Sequence, residues 1–152
     1  MKKYTLDQII QLFIYKIRGY FIFKNARLIR FPFRIRGRKF MIVGDNFTTG
    51  FNCRLDAFDF NNLNKTLIRI GKNVQINDDV HIAAVESIDI GDDVLIASKV
   101  FITDHNHGNY SGNEVQDSPL SSPNSRKIYT NAVKIEKNLT AIEYIAFTYK
   151  DN

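Results

Sequence analysis

The sequence predicts a mainly β protein, a coil of short stacked strands entered through one amphipathic α-helix. Three observations carry this expectation: a five-residue motif that recurs four times, aliphatic residues spaced six apart, and one helical stripe near the start of the chain.

The helix comes first. Thr5-Leu6-Asp7-Gln8 has the form of a capping box, with Thr5 at the N-cap and Gln8 three residues on. Ile9, Ile10, Phe13, Ile14, Ile17, Tyr20 and Phe21 follow at helical spacing, with Lys16 and Arg18 off the stripe and an end expected near Lys24. Phe31-Pro32-Phe33-Arg34-Ile35-Arg36-Gly37 then alternates apolar with basic residues. Pro32 forbids helix continuation, so the segment reads as an extended approach to the main body.

From about residue 40 the repeats take over. The pentad appears as Val43-Gly44-Asp45-Asn46-Phe47, Ile70-Gly71-Lys72-Asn73-Val74, Ile90-Gly91-Asp92-Asp93-Val94 and Ile135-Glu136-Lys137-Asn138-Leu139. Ile70, Ile76, Ile82 and Ile88 recur every six residues, and after a two-residue slip Ile90, Ile96 and Ile102 resume the count. A period of six matches neither a helix nor a hairpin array. It matches a short strand plus a tight corner, with three such units closing a coil of eighteen residues, at 70–87 and again at 90–107. Gly71, Gly91, Asn73 and Asn77 are assigned to the corners, as small or left-handed-tolerant residues. Stacking the coils sets Ile76 on Ile96, Val80 on Val100 and Ile82 on Ile102. Cys53 falls at the fifth place of the hexad starting at Thr49 and is expected to be a buried core thiol, not a nucleophile.

These hexads resemble the left-handed parallel β-helix of the hexapeptide-repeat acyltransferases. The stretch from Ile90 to Gly108, with Asp104-His105-Asn106-His107-Gly108 as its most specific part, is similar to the O-acetyltransferases of lipopolysaccharide, O-antigen and capsule biosynthesis. The resemblance covers roughly residues 25–138. It implies transfer of acetyl from acetyl-CoA to a sugar hydroxyl, by a homotrimer with its sites at subunit junctions. Such a reaction needs a base beside the hydroxyl, and histidine suits it because its ordinary pKa lies near working pH. By resemblance the base is His107 first and His105 second. Asp104 either orients one imidazole or starts an Asx turn. Asn77 and His81 are candidates for fixing the acceptor, with a plain turn role the alternative for Asn77. A metal-dependent carbonic anhydrase of the same repeat class would need three imidazoles at one metal, but the twenty-residue coil offset stacks His81 on Phe101, so no metal ligands are assigned.

The hexad lapses over 108–131, a loop rich in Gly, Ser, Asn and Pro where Tyr110 and Arg126 could contact a sugar or phosphate. After about residue 139 the pattern degrades, as if truncated, and a catalytically inactive β-helix kept as an interaction module is the alternative function. No residues are assigned to coenzyme A.

The 152 residues suit one domain, with residues 1–39 as a basic helix and arm and 40–152 as the β-helix body. The single cysteine excludes an intrachain disulfide. Cations interrupt the apolar N-terminal region, so no bilayer span is expected, nor is a secretory leader recognisable, and the cytoplasm is the expected location. The net charge of +5 is unevenly spread: residues 1–39 hold eleven Lys or Arg against Asp7 alone, a segment charge of +10. Such an arm suits an anionic surface, lipid or nucleic acid. With the resemblance, the expected partner is the inner face of an anionic membrane carrying a lipid-linked acceptor, with no nucleic acid. The competing role for the stripe is to cap the first coil.

Overall fold

The pentads set the geometry of the coil. In a computed structural model, which describes residues 4–106, 130 and 132–138, the fourth residue of every pentad has a left-handed backbone: Asn46, Asn73, Asp93 and Asn138, with φ of 56–63°. Asn and Asp tolerate this conformation better than other side chains do. A second corner turns at Asn52, Asp79 and Lys99 in the same way. All four residues assigned to corners lie at them, but of the four only Asn73 is left-handed. Asn77 is not left-handed; its corner turns two residues on, at Asp79. Gly71 and Gly91 are not left-handed either, and are small for another reason. A Cβ on Gly71 would lie 2.6 Å from the Gly91 carbonyl carbon, and one on Gly91 would lie 2.7 Å from the Lys137 nitrogen, so the coils touch backbone to backbone there.

Helix α1 (Leu6–Ile22) is followed by β1 (Phe33–Arg36), a short 3-10 helix (Arg38–Phe40), β2 (Met41–Val43), β3 (Thr48–Thr49) and β4 (Cys53–Ala57). Then come β5 (Ile68–Ile70), β6 (Gln75–Ile76), β7 (His81–Ala84), β8 (Ile88–Ile90), β9 (Leu95–Ile96), β10 (Phe101–Thr103) and β11 (Val133–Ile135). They form three sheets, ordered β1-β4-β7-β10, β2-β5-β8-β11 and β3-β6-β9. Neighbouring strands in all three sheets run parallel, so the architecture is a parallel β-solenoid of about three turns with one N-terminal helix.

Alternation along each strand sends one set of side chains inward. Ile35, Leu55, Ile82 and Ile102 lie in register as one ladder, and Val43, Ile70, Ile90 and Ile135 as another. Ile76 pairs with Ile96 and Ile82 with Ile102, as the six-residue period requires. Val74, Val80, Val94 and Val100 are buried at the corners between. Cys53 is wholly buried and its Sγ lies 3.0 Å from the Asn77 carbonyl oxygen; burial raises the thiol pKa to about 11. It is a core thiol, as expected.

The register also locates the insertions. Ile82 faces Ile102, twenty residues on, but Leu55 faces Ile82, twenty-seven on, and Ile90 faces Ile135, forty-five on. The extra residues leave at one corner of the prism, after β4 and after β10. Both long connections therefore start from the same edge.

The helix caps the coil with the side opposite its predicted stripe. Gln8 Oε1 accepts the Thr5 backbone N–H at 3.0 Å, as the capping box requires. The inward side, however, consists of Leu12, Tyr15, Gly19 and Ile22. Gly19 is buried against Ile29, and the Tyr15 ring lies 6.0 Å from Phe31 and 6.1 Å from Phe51. Residues 27–30 then run beside β3, with Arg27 N–H and Leu28 N–H donating to Phe47 and Thr49 N–H donating to Leu28. Phe23 and Ile29 close the end of the core. The stripe residues Ile9, Ile10, Phe13, Ile14, Ile17, Tyr20 and Phe21 are all exposed, which overturns the expectation that they cap the prism.

Candidate functional site

The corner that carries both insertions also carries Asp104 and His105. Asp104 follows β10 directly, and its side chain is buried to within 1% of full enclosure. A buried carboxylate is costly unless its oxygens are paired. Here they accept from the Val85 N–H at 2.9 and 3.1 Å and from the Glu86 N–H at 2.8 Å, both in the coil before. Oδ1 also meets His105 Nδ1 at 2.9 Å. The carboxylate thus joins the His105 ring to two backbone N–H groups of the preceding coil.

The His105 side chain is only 5% exposed. Its Nδ1 lies 3.1 Å from Thr103 Oγ1, and its ring meets Phe58 edge-on with centroids 6.5 Å apart. Phe58 in turn stacks on Phe60 at 5.7 Å, at the start of the first insertion. Thr130 returns to pair with His105 across an antiparallel bridge, so the second insertion leaves and re-enters at this one place. His107, Tyr110 and Arg126 lie outside the described residues, as do Leu139 and everything after it.

Asn77 and His81 lie elsewhere on the chain. Asn77 opens the corner between β6 and β7, a different edge of the prism from Asp104. Its side-chain oxygen is 3.4 Å from Gln75 Nε2, and its N–H donates to Ile96. His81 begins β7, points outward and stacks on Phe101 at 4.8 Å, the partner its twenty-residue offset predicts.

The sequence reading missed what holds His81. Asp56, 1% exposed although it points outward, meets His81 Nε2 at 3.0 Å, pairs with Arg54 Nε, and has Arg36 Nε at 3.6 Å. Burial of the imidazole, reinforced by the two guanidiniums, lowers the His81 pKa despite the attraction of Asp56. The signal was hidden because the first insertion shifts Asp56 to twenty-seven residues from Ala83, outside the regular period. Among the described residues no three His, Cys, Asp or Glu side chains gather as a metal site. Nor, among them, is any helix long and apolar enough to cross a membrane.

No family model matches the sequence. The chain is 44% identical over 134 residues to the "Putative lipopolysaccharide biosynthesis O-acetyl transferase WbbJ" of Escherichia coli (strain K12), a match that spans 88% of this chain and 66% of that protein. Its fold is similar to the crystal structure of a mutant of AntD, an N-acyltransferase from Bacillus cereus in complex with dTDP and coenzyme A. That likeness has a TM-score of 0.62 at 18% identity and covers 90% of this chain and 65% of the other. The chain thus spans just under two thirds of the length of each. The repeated hexads, the parallel three-sheet coil and the 44% identity together make this chain a member of the hexapeptide-repeat acyltransferase family, similar to its lipopolysaccharide O-acetyltransferases.

Proposed function

We propose that this protein moves an acetyl group from acetyl-CoA to a sugar hydroxyl in the biosynthesis of a surface polysaccharide, with His107 as the base. The observation that carries the reading is the buried Asp104, which fixes the corner from which the chain departs toward residue 107. The enclosure of His105, with Nδ1 facing Asp104, favours a positioning role for it and leaves the base to His107. The relative's name and the coenzyme A bound to the structural neighbour agree with this chemistry.

The step balances without a cofactor. The imidazole takes the hydroxyl proton as the oxygen attacks the thioester carbonyl. The tetrahedral intermediate then collapses with cleavage of the C–S bond, and the departing thiolate receives the proton. Asn77 and His105 occupy different edges of one chain, so an acceptor that touches both needs a second protomer. A homotrimer with sites at its junctions supplies one. Tyr110 and Arg126, in the second insertion, would border that acceptor. A lipid-linked acceptor at the inner face of an anionic membrane completes the reading.

The test is to mix protein, acetyl-CoA and an oligosaccharide acceptor and follow release of free thiol. Acceptor-dependent release, lost in His107→Ala, is the expected result. Wild-type rates in His107→Ala would reject the assigned base, and no binding of acetyl-CoA by calorimetry would favour an inactive scaffold.

A further inference from the structure

An α-helix places residues about 100° apart, so Ile10 lies diametrically opposite Gly19, the buried contact of α1 with the prism. Around Ile10 runs the outward face: Leu6 (74% exposed), Phe13 (64%), Ile17 (44%) and Phe21 (79%), with Ile9, Ile14 and Tyr20 at its margins. A contiguous apolar face on water marks an interaction surface. Its surroundings specify the partner. Lys16 borders the face and Lys24 follows the helix end, and neither forms an ion pair among the described residues. Residues 1–39 carry +10 with a single acid, so a second copy of the same helix would be repelled and an anionic surface attracted.

We infer that the outward face of α1 is a docking element for a bilayer containing anionic lipid, with the helix lying along the surface and the prism held on its other side. The helix does not span. Because Leu12, Tyr15, Gly19 and Ile22 already hold the prism from the opposite side, docking requires no unpacking of the core. The inference deepens the proposed function, resting on it only for the purpose of attachment.

The experiment is co-sedimentation of the full chain with vesicles of phosphatidylglycerol and phosphatidylethanolamine, and separately of phosphatidylcholine. It uses neither acyl donor nor acceptor, so its outcome is independent of the transfer reaction. We expect binding to the anionic vesicles that weakens at least about tenfold when salt rises well above physiological strength. Phe13→Asp combined with Ile17→Asp should lose more than about tenfold in binding, with an unchanged melting temperature because both side chains face water. Lys16→Gln with Lys24→Gln should weaken anionic binding alone. The inference is overturned if wild type binds neither vesicle, or if the Phe13/Ile17 variant binds as wild type does. It is equally overturned if wild type ignores vesicles but forms an oligomer that this variant dissociates, since the face then belongs to a second copy. Vesicle binding without any acetyl transfer would leave docking standing and remove the proposed function.

Discussion

Asp104 and His105 are neighbours in the chain whose side chains also meet, Oδ1 to Nδ1 at 2.9 Å, while the same carboxylate binds the Val85 and Glu86 N–H groups of the preceding coil. A carboxylate accepts, so this contact calls for a proton on Nδ1. One buried charge thereby fixes a ring, a tautomer and the contact between two coils.

The proposed mechanism gives three residues roles that mutation can separate. His107→Ala should lower kcat by about 10²–10⁴-fold, the usual loss on removing a general base. His105→Ala should cost less, about tenfold, because it disturbs placement and not proton transfer. Asp104→Ala should lower both activity and stability, the latter by about 1–3 kcal/mol for each N–H left unpaired. Acetyl-transfer kinetics and urea unfolding of the three variants check this ordering.

His81 gives a pH signature of stability. Its folded-state pKa is lowered below 6.5, chiefly by burial, so the unfolded chain binds the proton more readily. Stability contributed by the neutral ring is therefore present above about pH 6.5 and declines as pH falls from there toward the lowered value. Thermal unfolding from about pH 7.5 down to pH 5.5 should show wild type losing more than His81→Asn across that window. Parallel curves for the two proteins would contradict the assignment.

Cys53 should be chemically silent in the folded protein. With its pKa raised to about 11 and its Sγ enclosed beside the Asn77 carbonyl, almost no thiolate forms at pH 8. A disulfide reagent should titrate no thiol before denaturant is added and one afterwards. Cys53→Ala should transfer acetyl at the wild-type rate; loss of transfer without loss of stability would give the thiol a catalytic role.

Asn73 tests the corner geometry. At φ 56° it donates through Nδ2 to Asp93 Oδ1 and accepts from Asn46 Nδ2, each at 2.9 Å, so one side chain links three coils. Asn73→Ala should cost about 1–2 kcal/mol for the left-handed backbone, plus the two hydrogen bonds. Asn73→Gly relieves the backbone and loses only the bonds, so it should melt above Asn73→Ala. The reverse order would place the strain elsewhere.

The inward ladders were legible in the sequence because a buried solenoid face repeats with its own period. Ile70, Ile76, Ile82 and Ile88 could hardly point anywhere but in, and the pentads marked one corner of every coil. Cys53 was legible for the same reason, as a fifth-place residue. What the period could not carry was anything across an insertion. Asp56 reaches His81 only because the first long connection shifts the register to twenty-seven residues, and the Phe58–His105 contact spans two coils in the same way. The helix shows the limit most plainly. Periodicity identified an apolar stripe on residues 9–21, but a stripe does not say what covers it. Gly19 decided the matter, because only there can Ile29 approach the helix backbone, and that close contact turns the stripe outward to water. Local spacing determined which residues share a face; the packing of distant segments decided which face is inside.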